Sequence, residues 1–218
     1  MFTVGLLSTL LLFPSYPSLY LMPTPTKALL ISEQISLDNR QANSFVNEVF
    51  KDNILLNLAY MDGRVIEKED INWNEIRSPF IYRFKLFPNE TFAFHDDVFP
   101  QYKSTLVVTT NAHFNYQEGF KSDGYLVGDG ICHLASLIYW VSKEAGLDAY
   151  APTNHNFAVI PEISKEYGVS IYSMPGNISA NSRQNLYVTN NKDKPIIFEF
   201  VYDGENLKIS VYEDLRTR

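Results

Sequence analysis

The chain contains a single cysteine in 218 residues. One thiol excludes an internal disulfide and cannot alone build a cysteine-rich zinc site, so cysteine count leaves the redox compartment open. Basic charge is also scarce: 18 Lys and Arg stand against 25 Asp and Glu, a net charge of −7. No basic cluster interrupts that balance. Nucleic acid is therefore excluded as a general partner, because neutralising phosphates requires a Lys/Arg surplus on some face. An anionic membrane surface is disfavoured for the same reason. Internal repeats and low-complexity tracts are absent. What is present is an ordinary globular composition, 45% hydrophobic and 14% aromatic, sufficient for a substantial core in one or at most two domains.

Charge is missing altogether from Phe2 to Thr26, where Phe2 to Phe13 forms a nearly continuous apolar run. That length suits a signal-peptide core, although no basic stretch precedes it and no Ala-x-Ala site follows. Pro14 and Pro17 interrupt a longer span. Residues 1–26 are expected to be a signal peptide or an N-terminal membrane anchor, which implies an extracytoplasmic protein, secreted or membrane-anchored; the alternative is a buried helix of the domain. Residues 27–42 read as a linker entered through Pro23 and Pro25, and 43–213 as one domain.

Within that domain, Phe45, Val46, Val49, Phe50, Ile54, Leu55 and Leu58 form an apolar stripe that predicts a helix from Asn43 to Tyr60, with Gly63 close behind. Phe80 to Leu86 alternates as a strand does, and Thr91 to Phe94 and Leu106 to Thr110 read as further strands. His113 to Asp129 is a polar loop. Phe157 to Ile160 and Val169 to Tyr172 are expected to be strands, and the C-terminal part is a β module of Leu186 to Thr189, Ile196 to Tyr202 and Leu207 to Tyr212. Asp203-Gly204-Glu205-Asn206 forms its hairpin loop.

The lone cysteine lies in Gly128-Asp129-Gly130-Ile131-Cys132-His133-Leu134-Ala135-Ser136. Ile131, Ala135, Ile138, Val141 and Ala145 fall at helical spacing, with Asp129 as the expected N-cap and Gly146 as the closing glycine. Cys132 then sits in the first turn, where free amides and the helix dipole favour a thiolate and predict a lowered pKa. His155, in the polar turn Asn154-His155-Asn156, is placed to act as its general base. A cysteine on a helix N-terminus followed by a histidine on the next strand is the papain and transglutaminase arrangement in outline. Asn154 and Asn156 are weaker candidates for orienting the imidazole. The oxyanion of an acyl-transfer step would take the Cys132 amide and one from the preceding loop.

The run from Gly128 to Tyr139, followed by Ala145-Gly146-Leu147 and His155, resembles the VanW family, whose signature is a Gly-Gly-Gly-Ile-Cys-Gln-like segment, a helix ending in Ala-Gly-Leu and a following histidine. Phe87 to Phe94 and Asn185 to Asn191 resemble other segments of that family, so the likeness covers roughly residues 80 to 213. Here His133 replaces the glutamine and Asp129 the middle glycine. The resemblance implies a bacterial cell-envelope protein with peptidoglycan or another envelope component as partner, and membrane contact through the N-terminal segment. On that basis Cys132 and His155 would hydrolyse or transfer amides of peptidoglycan peptides, with Gly128, Asp129, Gly130, Ile131 and His133 as the substrate or oxyanion loop. No cofactor is implied.

Two other readings stand beside this one. Free cysteine is among the most buried residue types, so Cys132 can be structural in a noncatalytic envelope-binding module. A metal site built from His95, His113, His133, His155 and Cys132 matches no zinc spacing, and no metal is expected. The fold expected is α+β: a mixed or antiparallel sheet against the cysteine helix, with a C-terminal β-hairpin that extends the sheet or forms a small subdomain.

Overall fold

The computed structural model describes residues 26–216, so the expected signal or anchor lies outside the described residues except for Thr26. Among the described residues eight strands and four α-helices follow in mixed order, an α+β architecture. Among the described residues no helix is long and apolar enough to cross a membrane.

Two four-stranded sheets replace the one sheet expected. The first, in the order β1 (Lys27–Ser36), β8 (Asn206–Asp214), β7 (Ile196–Tyr202), β2 (Phe80–Leu86), is antiparallel throughout. The C-terminal hairpin β7–β8 is thus the middle of a sheet. Residues 27–36 are therefore strand, not linker, although 27–42 read locally as a connection. The partner of β1 lies almost the whole chain away, Ser32 Oγ meeting Ser210 Oγ at 2.8 Å, and a register irregularity between Leu29 and Ile31 blurs the alternation. The second sheet, β4 (Leu106–Val108), β3 (Thr91–Ala93), β6 (Tyr187–Thr189), β5 (Asp148–Tyr150), is mixed, with β3 and β4 parallel. Phe84 of the first sheet stacks on Phe92 of the second at 5.4 Å between ring centroids, so one apolar core spans both.

Helix α1 (Ser44–Met61) is capped by Asn43, whose side chain accepts from the Val46 amide. Phe45, counted in its apolar stripe, is 65% exposed, whereas nearly every residue from Val49 on is buried. A helix buried on all sides must satisfy its polar residues internally. Asp52 accepts from Arg77 at 2.7 and 2.8 Å and from Lys121 at 2.5 Å, bringing in the loop before the cysteine and the arginine that follows short helix α2 (Trp73–Ile76). Asn53 accepts the Lys121 amide at 2.8 Å and donates to the carbonyls of Lys121 and Asp129. The polar loop thereby becomes a fixed wall.

Helix α3 (Ile131–Glu144) packs on α1, on β1 and β8 of one sheet and on β5 of the other. A short α4 (Ile178–Asn181) precedes β6. The segments expected as strands at 157–160 and 169–172 are extended or turned connections with one isolated bridge, Asn154 to Val169. The backbone of 169–172 bonds the Ser136 and Cys132 side chains and the carbonyls of Thr153 and Gln184 instead of entering a sheet, and the Ile160 carbonyl accepts from Ile163 in a local turn.

Gly130 begins α3 at φ +95°, and a Cβ there would meet the Phe50 carbonyl oxygen at 2.6 Å. Gly63 also has a positive φ, +79°, but open space around it. Chemical denaturation should therefore show Gly130→Ala losing about 2–4 kcal/mol from backbone strain plus overpacking, and Gly63→Ala only about 1–2 kcal/mol from strain alone. Equal losses would refute the close approach of α1 and α3.

Candidate functional site

The chain from Gly168 to Ile171 runs between the start of α3 and the segment carrying His155. Along one edge, Ser136 Oγ accepts the Val169 amide at 2.9 Å and donates to the Cys132 carbonyl at 2.7 Å. Cys132 Sγ accepts the Ile171 amide at 3.4 Å, and its S–H donates to the Ile171 carbonyl at 3.7 Å. Along the other edge, Ser170 N–H donates to Thr153 O at 2.9 Å and His155 N–H to Gly168 O at 3.1 Å. A Cβ on residue 168 would lie 2.7 Å from the His155 carbonyl oxygen, so glycine is what lets the two strands of backbone approach. One short segment thus sets both residues in place.

Cys132 and His155 line the same cavity, of about 170 Å³, together with His133, Gly128, Asp129 and Gly130. Ile131 faces the core behind it and is 2% exposed. Phe50, Leu126 and Phe157 supply apolar wall, the last two from the exposed rim. Four rings form a column: Phe50 to His133 at 5.1 Å, His133 to His155 at 6.4 Å, and His155 to Phe157 at 4.0 Å between centroids. Asn154 donates to the Lys165 carbonyl at 3.2 Å, and Asn156 is exposed and makes no side-chain hydrogen bond among the described residues. Neither side chain hydrogen-bonds the imidazole among the described residues.

The N-cap of α3 is Gly130, not Asp129. The Asp129 carboxylate instead accepts the Asp123 amide at 3.0 Å. With no side chain capping the helix, the amides of Asp129 and Gly130 donate to no backbone or side-chain oxygen among the described residues, the Cys132 amide faces its own sulfur, and Ile131 and His133 bond Gly128 O and Gly130 O. Unclaimed amides at a helix start bordering a cavity are ready donors for negative charge.

The electrostatics differ from the expected lowered thiol pKa. Burial pushes the Cys132 thiol up to about 11, the Ile171 amide offsets part of this, and the Asp129 carboxylate raises it further. The dipole of α3 is outweighed by desolvation and a neighbouring carboxylate. Asp129 itself is pushed up to about 6, chiefly by burial. Burial also lowers His155, and it takes His133 down to about 3, helped by Arg40 and His155. Both imidazoles are neutral at pH 7, and the Nδ1 atom of each is buried without a partner. A thiolate–imidazolium pair is not the resting state.

The remaining histidines are engaged elsewhere. His95 Nε2 contacts the Gln184 carbonyl at 3.1 Å, and His113 lies between Asp96 at 2.9 Å and Glu118 at 3.2 Å, which hold its pKa up to about 9. Among the described residues no three His, Cys, Asp or Glu side chains converge as metal ligands. Sequence reasoning missed Ser136, Gly168 and the backbone of Ile171. Only Ser136, one helical turn beyond Cys132, carried a readable signal.

A histidine buried neutral binds its proton more tightly when unfolded, so the contribution of His133 to stability is full above the ordinary histidine range and falls as pH drops from about 6.5 toward 3. His133→Gln should flatten the acid limb of a stability-against-pH curve measured by urea unfolding. An unchanged acid limb would mean that His133 is already solvated in the native protein.

A search of curated proteins and a search of solved structures return no match. The family described as "VanW like protein" matches residues 77–212, more than half of the chain and inclusive of Cys132, His155 and the segment between them. That range includes most of the residues that line the cavity, and the chain belongs to the VanW-like family.

Proposed function

We propose that this VanW-like domain is a cysteine-dependent acyltransferase or amide hydrolase of the cell envelope, with Cys132 as nucleophile and His155 as general base. The observation that carries the reading is the meeting of the only cysteine and a neutral histidine at one cavity beside unclaimed helix-start amides. The papain and transglutaminase outline, a cysteine opening a helix and a histidine from the following extended segment, is consistent with it.

With thiol and imidazole both neutral, activation occurs during attack. The Cys132 proton passes to His155 as Sγ bonds the substrate carbonyl carbon, and the departing amine takes that proton as the carbon–nitrogen bond breaks. Water or a second amine then attacks the thioester carbon, His155 takes its proton, and as the carbon–sulfur bond breaks that proton passes to Sγ and restores the neutral thiol. Before this, the thiol must turn from Ile171 toward the cavity, at the cost of two weak sulfur hydrogen bonds. The helix-start amides, that of Cys132 among them, contribute donors to the developing oxyanion. Phe157, 4.0 Å from the imidazole, covers the base and favours its transient charged form. The family resemblance and the apolar N-terminus support peptidoglycan peptides outside the cytoplasm as the source of the amide, reached by secretion or membrane anchoring. The exposed apolar rim of Leu126, Phe157 and Val159 suits uncharged peptide better than a bare anion.

One observation favours a second reading, a noncatalytic envelope-binding module: the resting thiol bonds Ile171 and not His155. Intact-mass analysis after mixing with peptidoglycan stem peptides decides between them. The catalytic reading predicts a thioester on Cys132, absent in Cys132→Ala and formed about 10²–10⁴-fold more slowly in His155→Ala. Peptide binding that survives Cys132→Ala unchanged, with no thioester in the natural chain, would establish the binding module instead.

A further inference from the structure

His133 has no part in moving the thiol proton, yet its position is not that of a filler. It is 4% exposed, its ring meets Phe50 edge-on at 5.1 Å and His155 at 6.4 Å, and the surface it retains belongs to the cavity wall. Its Nδ1 is sealed without a hydrogen-bond partner. A neutral imidazole carries one N–H, and placing it on that sealed atom would strand a donor in apolar surroundings. The proton is therefore assigned to Nε2, the ring nitrogen not sealed in this way, on a residue that lines the cavity. Arg40, fully buried and bonded to Ser36 O at 2.6 Å, Pro161 O at 3.2 Å and Glu162 at 2.5 Å, lies near enough for its charge to oppose protonation of the ring.

Resting on the acyl-transfer reading above, we propose that His133 is a catalytic residue that donates its Nε2–H to the carbonyl oxygen of the acyl group, completing with the Cys132 amide the hole that holds the tetrahedral oxyanion. The division of labour follows from position. His155 lies beneath Phe157 at the cavity mouth and exchanges protons with sulfur and leaving group, whereas His133 stands in the same helical turn as the Cys132 amide, which is left free when the thiol attacks. A donor that stays neutral and keeps its proton throughout stabilises the oxyanion without competing for the thiol proton. The carbonyl oxygen gains charge when sulfur bonds carbon and returns it when the leaving group departs, so His133 ends each half-reaction unchanged.

Two reagents separate this role from a structural one. Iodoacetamide alkylates sulfur by displacement at a saturated carbon and needs no oxyanion hole, whereas p-nitrophenyl acetate acylates sulfur through a tetrahedral intermediate and releases p-nitrophenolate. In the full chain, His133→Ala should slow acylation by about 10²–10³-fold while leaving the alkylation rate within a factor of about two of its original value. His133→Gln, which keeps an N–H donor of similar reach, should restore much of the acylation rate. His155→Ala should slow both reactions at neutral pH. If His133→Ala slows alkylation as much as acylation, or slows neither, His133 is not the oxyanion donor, and the Cys132/His155 assignment survives on the response of His155→Ala. If the natural chain is alkylated yet never acylated, the acyl-transfer reading fails and this assignment falls with it.

Discussion

The antiparallel pairing of backbone around Gly168 to Ile171 is the constraint on which the site depends. Cys132 and Ser136 hold that segment from the helix side, and Thr153 and His155 hold it from the other. The contacts on the His155 side are backbone to backbone, whereas on the helix side the Cys132 thiol and the Ser136 hydroxyl take the place of a neighbouring strand's main-chain groups. Gly168 is the point of closest approach, and the backbone of His155 leaves no room there for a side chain. Behind the segment, Arg40 ties the end of β1 to the 161–162 turn, and Asn53 and Asp52 of α1 anchor the loop that enters α3. The two sheets frame the helix, while the site itself is made of loops pinned to buried polar groups.

That construction explains the electrostatics. A helix start usually favours a thiolate, but its effect is modest and is felt within one turn. Here the sulfur is enclosed by the 168–171 segment and faces the Asp129 carboxylate, so desolvation prevails and the proton stays on. The same enclosure keeps both imidazoles neutral. A resting site without charge has no pre-formed ion pair to break, and it becomes polar only when a substrate carbonyl supplies an atom able to take charge. The apolar rim and the unclaimed amides are then complementary parts, one excluding water and the other receiving the oxyanion.

Much of this was legible in the chain. Alternation set β2 at Phe80–Leu86, β7 at Ile196–Tyr202 was found with the same bounds, and the helical spacing after Gly130 located α3 to within a residue. Helix α1 was legible because its apolar residues outnumber its polar ones, although Phe45 at its first turn faces solvent. The cysteine and histidine were nameable because they are rare. What was not legible depends on distant partners: β1 is a strand only because β8 pairs with it, and residues 157–160 and 169–172 are apolar and β-branched yet find no sheet to join. The thiol pKa failed for the same reason, since local position predicts the dipole but burial is set by a segment nearly 40 residues later. Asp129 looked like a cap because its residue type prefers that role, and Gly130 took the place because only glycine tolerates φ +95° against Phe50.

The claim at the centre is that Cys132 and His155 rest as neutral thiol and neutral imidazole, poised by the 168–171 segment. Ultraviolet thiolate absorbance of the folded protein as a function of pH tests it most directly, with Cys132→Ser as the blank. The account predicts no thiolate signal at neutral pH and its appearance only as pH approaches about 11. A full thiolate signal at pH 7 that vanishes in acid, and that is lost in His155→Ala, would contradict it by revealing a standing thiolate–imidazolium pair.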